Sequence, residues 1–262
     1  MAAQGRHPYA AYFGFAAYVT GYAVKTLGWP TELGILAGVA VAALLGFIVG
    51  WLAIRRQGIY FAMITLAMSQ LVYFFCLQSK FTGAEDGMQG IPRGKLFGVI
   101  DLNDDIAMYY FVLAICVLGI ALIYRIIHSP FGQILKAIRE NEPRAISMGY
   151  SAEKYKLVAF VLSAGLAGLA GATKAIAIQL ASLTDVHWHL SGEVVLMTLL
   201  GGMGTVLGPV VGAFSIVSLQ SYLADSAGAW VTVIIGVIFV LCVLAFRRGI
   251  VGELAARLRS TK

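Results

Sequence analysis

Seven apolar runs, most of them uncharged, recur along this chain, several at the length of a bilayer crossing. They lie at 9–24, 33–54, 60–77, 106–124, 157–178, 193–224 and 227–246, and the fifth is interrupted by Lys174 alone. A helix needs about 20 apolar residues to cross roughly 30 Å of hydrocarbon. A soluble globule with buried helices is excluded by supply: 19 basic and 13 acidic residues cannot coat the surface of 262 residues. The mean hydropathy of +0.84 agrees. The chain therefore reads as an integral membrane protein: an all-α, polytopic bundle of about six full spans plus one broken or re-entrant helix pair. The whole of 1–262 is taken as one membrane domain.

In that setting the net charge of +6 reflects loops on one side of the membrane rather than nucleic-acid binding. Cys76, Cys116 and Cys242 each stand alone in an apolar run, which suggests neither a disulfide framework nor a zinc site. The first run shows no A-x-A cleavage site before a polar chain, so it is expected to be a retained helix rather than a signal peptide.

Lys and Arg counts orient the spans. Arg6, Arg55, Arg56, the segment from Arg125 to Lys156 and the tail after 246 place 14 positive residues on one side, against Lys25, Lys80, Arg93 and Lys95 on the other. The richer side is expected to be cytoplasmic. Loop 179–192 then lies outside, and residues 193–226 must leave the outer face and return to it. Only eight residues precede the glycines of GGMGTVLGP, so a turn inside the membrane is expected there. Gly201, Gly202, Gly204, Gly208 and Pro209 serve either as close-packing points or as the lining of a path. Their spacing is not G-x-G-x-x-G. The chain also has no Walker A loop, since Gly94-Lys95 is followed by Leu96, so no nucleotide or other cofactor is expected on this chain.

Small residues recur every four positions in LSAGLAGLAGA: Ala164, Gly168 and Ala172 on one line, Ala167 and Gly171 on another. Such stripes let helices approach closely, whether as static packing or as a sliding face. Lys174 follows on the same helix and is expected to snorkel outward, the other option being an acidic partner. His187-Trp188-His189 reads as an interfacial belt rather than a metal site, because two ligands without a third do not make one. Glu193 suits the start of the short helix that follows. The loop at 78–105 is rich in turns and acids (Glu85, Asp86, Asp101, Asp104, Asp105).

Between the fourth and fifth runs stands the polar stretch SPFGQILKAIRENEPRAISMGY, residues 129–150. Pro130 starts a helix, and Phe131, Leu135 and Ile138 stack on one face of it. Asn141 caps a second short helix with Pro143 in its first turn, Gly149 ends that helix, and Ser151 caps the next. Both short helices are under a dozen residues and need something packed on them. The two options are the chain's own membrane part and a cytosolic subunit.

These residues resemble a family. The 129–150 stretch, the run Lys156, Phe160, Ser163, Ala164, Ala167, Gly168, Ala170, Gly171, and GIYFAMITLA, TGAEDGMQGIP and GGMGTVLGPVVGA look like the inner-membrane permease subunits of branched-chain amino acid ABC transporters. The likeness runs from about Leu44 to Phe246. It implies that 128–156 is a cytoplasmic coupling segment in which Arg139, Glu140, Asn141, Glu142, Arg144 and Ala145 sit in a groove of the ATP-hydrolysing subunit. It implies a periplasmic loop at 78–105 and a broken helix pair at 193–224. It also implies a second permease subunit, two ATP-binding subunits, a periplasmic substrate-binding protein and an amino-acid substrate. Near relatives handle urea or short-chain amides. Family members carry helices upstream of their G-H-A-A-F-F-G-x-G-A-Y stretch, of which RHPYAAYFGFAAYVTGY is a partial echo. The resemblance leaves open a misassigned start, a truncation or a reduced version. An autonomous carrier or channel would need ionisable groups in its spans, which offer Lys174, Glu193 and amides such as Gln70 and Gln220. A membrane enzyme would need a catalytic constellation that the spans lack.

Overall fold

The structure is a computed structural model, and it describes residues 9–56, 58–96, 98, 100–202, 205, 207–227 and 236. It divides into two compact units, Met1–Ser191 and Gly192–Lys262. The expected span at 227–246 lies almost wholly outside the described residues.

The first unit is built on three helices: α1 (Tyr9–Lys25), α2 (Thr31–Ala53) and α7 (Ala152–Ile178). Small residues let their backbones meet. A Cβ on Gly46 would run into Ala164, one on Gly168 into Ala42, and one on Gly38 into Thr20 and the Ala16 carbonyl. Ala16, Ala42, Ala164 and Ala172 are all buried there. Where apolar surface faces lipid, association rests on close packing rather than on water exclusion, so such contacts hold the bundle together.

Around this core stand α3 (Ile59–Gln78) and α4 (Asp105–His128). Four described helices, α2, α3, α4 and α7, are long and apolar enough to cross a membrane. The 17 residues of α1 make a rod of about 26 Å. α4 stands nearly bare, since of its 24 residues only Met108 is buried. Asp104 caps it, its carboxylate accepting from the Ile106 N–H at 3.2 Å.

One end of the unit carries the 79–104 loop, and here the all-helical expectation is amended. Two-residue strands β1 (Met88–Gln89) and β4 (Leu180–Ala181) pair antiparallel, as do β2 (Lys95–Leu96) and β3 (Ile100–Asp101). The first pair ties the loop to the segment just past α7. Arg93 adds two ties, donating to the Ala177 carbonyl at 3.0 Å and pairing with Asp105 at 2.8 Å. The Lys25 ammonium donates to the Gln89 carbonyl at 2.6 Å, so α1 and α7 both finish at this end. Asn103 donates its N–H and its side-chain amide to Asp101, which holds that carboxyl below the usual range.

Lys174 does not snorkel. It pairs with Asp185, whose side chain is 8% exposed, and its ammonium also lies over the Phe13 ring. Asp185 belongs to a 3-10 turn, Leu183–Asp185, that tucks against α1, with Val186 packed on Gly14. A buried acid brought this close by the chain's own return is a better partner for an ammonium than a distant interface. His187 packs its ring edge against Tyr73 at 5.4 Å, and Trp188 beside it is half exposed.

In the second unit most of α8 (Trp188–Gly201) and α9 (Gly208–Ala227) form a hairpin. α8 begins at Trp188, ahead of the expected Glu193. Its 14 residues still reach only about 21 Å, short of a full crossing. Gly202 turns the chain at φ +111, a region open to glycine.

Candidate coupling surface

At the end of the first unit remote from the 79–104 loop, α4 runs into α5 (Pro130–Glu140) and α6 (Glu142–Ser147), and α7 follows. The caps make this elbow. The Ser129 hydroxyl accepts from the Gly132 N–H at 3.3 Å and donates to the Ile126 carbonyl at 2.6 Å, ending α4 and opening α5. Pro130 fills the first turn, where its missing N–H costs nothing. Asn141 serves both helices. Its N–H closes α5 on the Ala137 carbonyl at 3.0 Å, and its Oδ1 accepts from the Arg144 N–H at 3.1 Å to open α6. Gly149 turns the chain out of α6 at φ +91. Ser151 stands at the N-cap of α7 but makes no side-chain capping bond.

The inner face is small and apolar. Ile138, Ala145 and Ala152 form its centre, with Ile134 and Tyr155 against them. Phe131 stacks on Tyr155 at 5.7 Å between ring centres, and Tyr150 meets the same ring edge-on at 6.2 Å. The outer face is polar and open: Lys136, Arg139, Glu140, Asn141 and Arg144 are exposed. Ile146 and Met148 join them at 54% and 59% exposure.

The six residues expected to meet a partner therefore divide. Arg139, Glu140, Asn141 and Arg144 face outward. Ala145 is 1% exposed and packs with Ile138 and Ala152. Glu142 is half-buried and already engaged, its Oε1 accepting from the Lys156 ammonium at 2.6 Å. Sequence reasoning missed Ile146 and Met148, although the signal was there: two apolar residues off the Phe131–Leu135–Ile138 face. It named Lys156 as part of the run that carries the resemblance but missed its pairing with Glu142, fourteen positions away and outside any local periodicity.

The glycine candidates lie elsewhere. Gly168 and Gly171 are buried in α7, against Ala42 and the Phe13 backbone. In the second unit Gly201 meets the backbone of Gly208, and Gly212 meets that of Met197, so the two helices touch main chain to main chain. Pro209 is the second residue of α9. Gly204 lies outside the described residues.

This architecture pairs a close-packed apolar bundle with a capped, exposed elbow. Among the described residues no group of three or more His, Cys, Asp or Glu is placed to hold a metal ion. Residues 9–243 match the family described as branched-chain amino acid transport system / permease component. The chain belongs to that family. It is 30% identical over 222 residues to the high-affinity branched-chain amino acid transport system permease protein LivM of Escherichia coli K12, covering 76% of this chain and 52% of that protein. It is 27% identical over 196 residues to the autoinducer 2 import system permease protein LsrC of Salmonella typhimurium (72% and 53%). It is 24% identical over 229 residues to the fructose import permease protein FrcC of Rhizobium meliloti (82% and 62%). The chain spans about half the length of the first of these relatives. No solved structure matches it. As a permease-family chain with several membrane-length apolar helices, it resides in the inner membrane.

Proposed function

We propose that this chain is the membrane-spanning permease subunit of an ABC importer that moves branched-chain amino acids across the inner membrane. In this reading it performs no chemistry itself. It works with a second permease subunit, two ATP-binding subunits and a periplasmic substrate-binding protein. The whole of 1–262 acts as one permease domain, with 128–156 on the cytoplasmic side, 78–105 on the periplasmic side and the 193–224 helix pair beside the path.

The observation that carries the reading is the elbow. Its exposed residues include Arg139, Glu140 and Arg144 together with Ile146 and Met148, at the end of the first unit away from the acidic loop. Exposed apolar and arginine side chains on one short segment suit a partner's groove. A branched-chain amino acid is favoured over other small solutes because the LivM relative is named for that substrate. The autoinducer and fructose relatives set the alternatives for substrate competition.

The test uses the chain expressed with its neighbouring transport subunits. Arg139→Ala with Arg144→Ala should release the ATPase subunit from the detergent-solubilised complex and abolish ATP-driven uptake of leucine, while membrane insertion is unchanged. Full co-purification and uptake in that variant would refute the reading. Excess isoleucine and valine should compete with leucine uptake where urea, acetamide and fructose do not.

A further inference from the structure

We propose that the Glu142–Lys156 ion pair is a positioning strut: it fixes the angle between α6 and α7, so that force applied to the elbow reaches the spanning helix. This inference rests on the coupling reading above.

α6 has only six residues, too few to hold a direction by itself. It is joined to α5 through the single residue Asn141 and to α7 through 148–151, where Gly149 has open space around it and a positive φ. Neither connection sets an angle. The apolar contacts of Ala145 with Ile138 of α5 and Ala152 of α7 hold the middle of α6, and its first turn lies beyond them. The ion pair supplies a second contact, displaced along both helices. Glu142 lies three residues before Ala145, and Lys156 lies four residues, one helical turn, after Ala152. Two separated contacts fix a direction that one cannot.

The chemistry suits the role. Nζ–Oε1 is 2.6 Å, a charge-assisted bond. The side chains are 23% and 27% exposed, so salt screens the pair less than a surface pair. Glu142 also occupies the first turn of α6, where the positive end of the helix dipole favours a carboxylate. The head groups of Arg139 and Arg144 have no hydrogen-bond or ion-pair partner among the described residues and stay available for docking. The carboxylate of Glu142 is spent on its own chain.

The experiment is performed on the assembled complex in proteoliposomes, with two readouts: retention of the ATPase subunit, and substrate moved per ATP hydrolysed. Glu142→Gln and Lys156→Met should each retain the ATPase and lower transport per ATP about fivefold, in the range seen when a coupling element is loosened. Combining Glu142→Lys with Lys156→Glu should recover most of that loss, because the reversed pair restores the second contact. A docking residue cannot be rescued from within its own chain. The strut is overturned if Glu142→Gln transports at the wild-type ratio, if it sheds the ATPase, or if the exchanged pair performs no better than the single variants. Failure of the unaltered chain to hold any ATPase defeats the coupling reading itself, and the strut with it.

Discussion

Gly171 sits where α7 crosses α1, and a methyl group there has nowhere to go. Its Cβ would lie 2.7 Å from the carbonyl carbon and 3.0 Å from the Cα of Phe13, with the carbonyl oxygen nearer still. These are backbone atoms and cannot rotate aside. Restoring ordinary contact near 3.4–4 Å requires α1 to withdraw by about 1.5 Å or more, which opens the packed seam shared with α2. Overpacking typically costs about 1–3 kcal/mol, and a backbone obstacle puts Gly171→Ala near the top of that range. For a chain of this size that corresponds to a drop of about 5–10 °C in the unfolding midpoint. The assay is thermal unfolding of the purified chain in mild detergent, with Gly165→Ala as the paired control. Gly165 lies six residues earlier on the same helix, and its nearest neighbour is the Ala43 Cβ at 3.9 Å. Alanine fits there and favours the helix by up to about 1 kcal/mol. If the two variants melt together, the close approach of α1 and α7 is not what holds this bundle.

Breaking the Lys174–Asp185 pair from one side should be costly, since Lys174→Met leaves Asp185 buried and charged. A loss of about 3 kcal/mol is expected in a denaturant titration. Adding Asp185→Leu should return part of it, and strictly additive losses would show that the two groups do not interact. The Tyr18 hydroxyl is fully buried with no hydrogen-bond partner among the described residues. Tyr18→Phe should therefore leave stability unchanged or raise it by up to about 1 kcal/mol in the same titration. A clear loss would reveal a partner for that hydroxyl.

Local chemistry made the elbow legible in the sequence. Ser129, Pro130 and Asn141 act within four residues of themselves, each at the terminus its side chain dictates, and Gly149 turns the chain at a positive φ open to a residue without a Cβ. The small-residue line of α7 was equally plain, because a period of four is written in the chain. What stayed hidden depends on the return of distant segments. Asp185 reaches Lys174 only because the chain doubles back after β4. Glu142 finds Lys156 across the 148–151 turn, fourteen positions away. Ala145 faces inward because α6 lies against α7, which its own six residues cannot announce. The paired strands are two residues long, too short to leave an alternating pattern.

The two ends of α7 are each fastened to something else. The β1–β4 pairing and Arg93 bolt the 79–104 loop to its finish, and Ala152 and Lys156 bolt α6 to its start. Between them lies an unbroken shaft of 27 residues, about 40 Å long. A piston rod clamped at both heads cannot shift at one without shifting at the other. Under the proposed importer role, a displacement of the elbow and a displacement of the 79–104 loop would share a single clock.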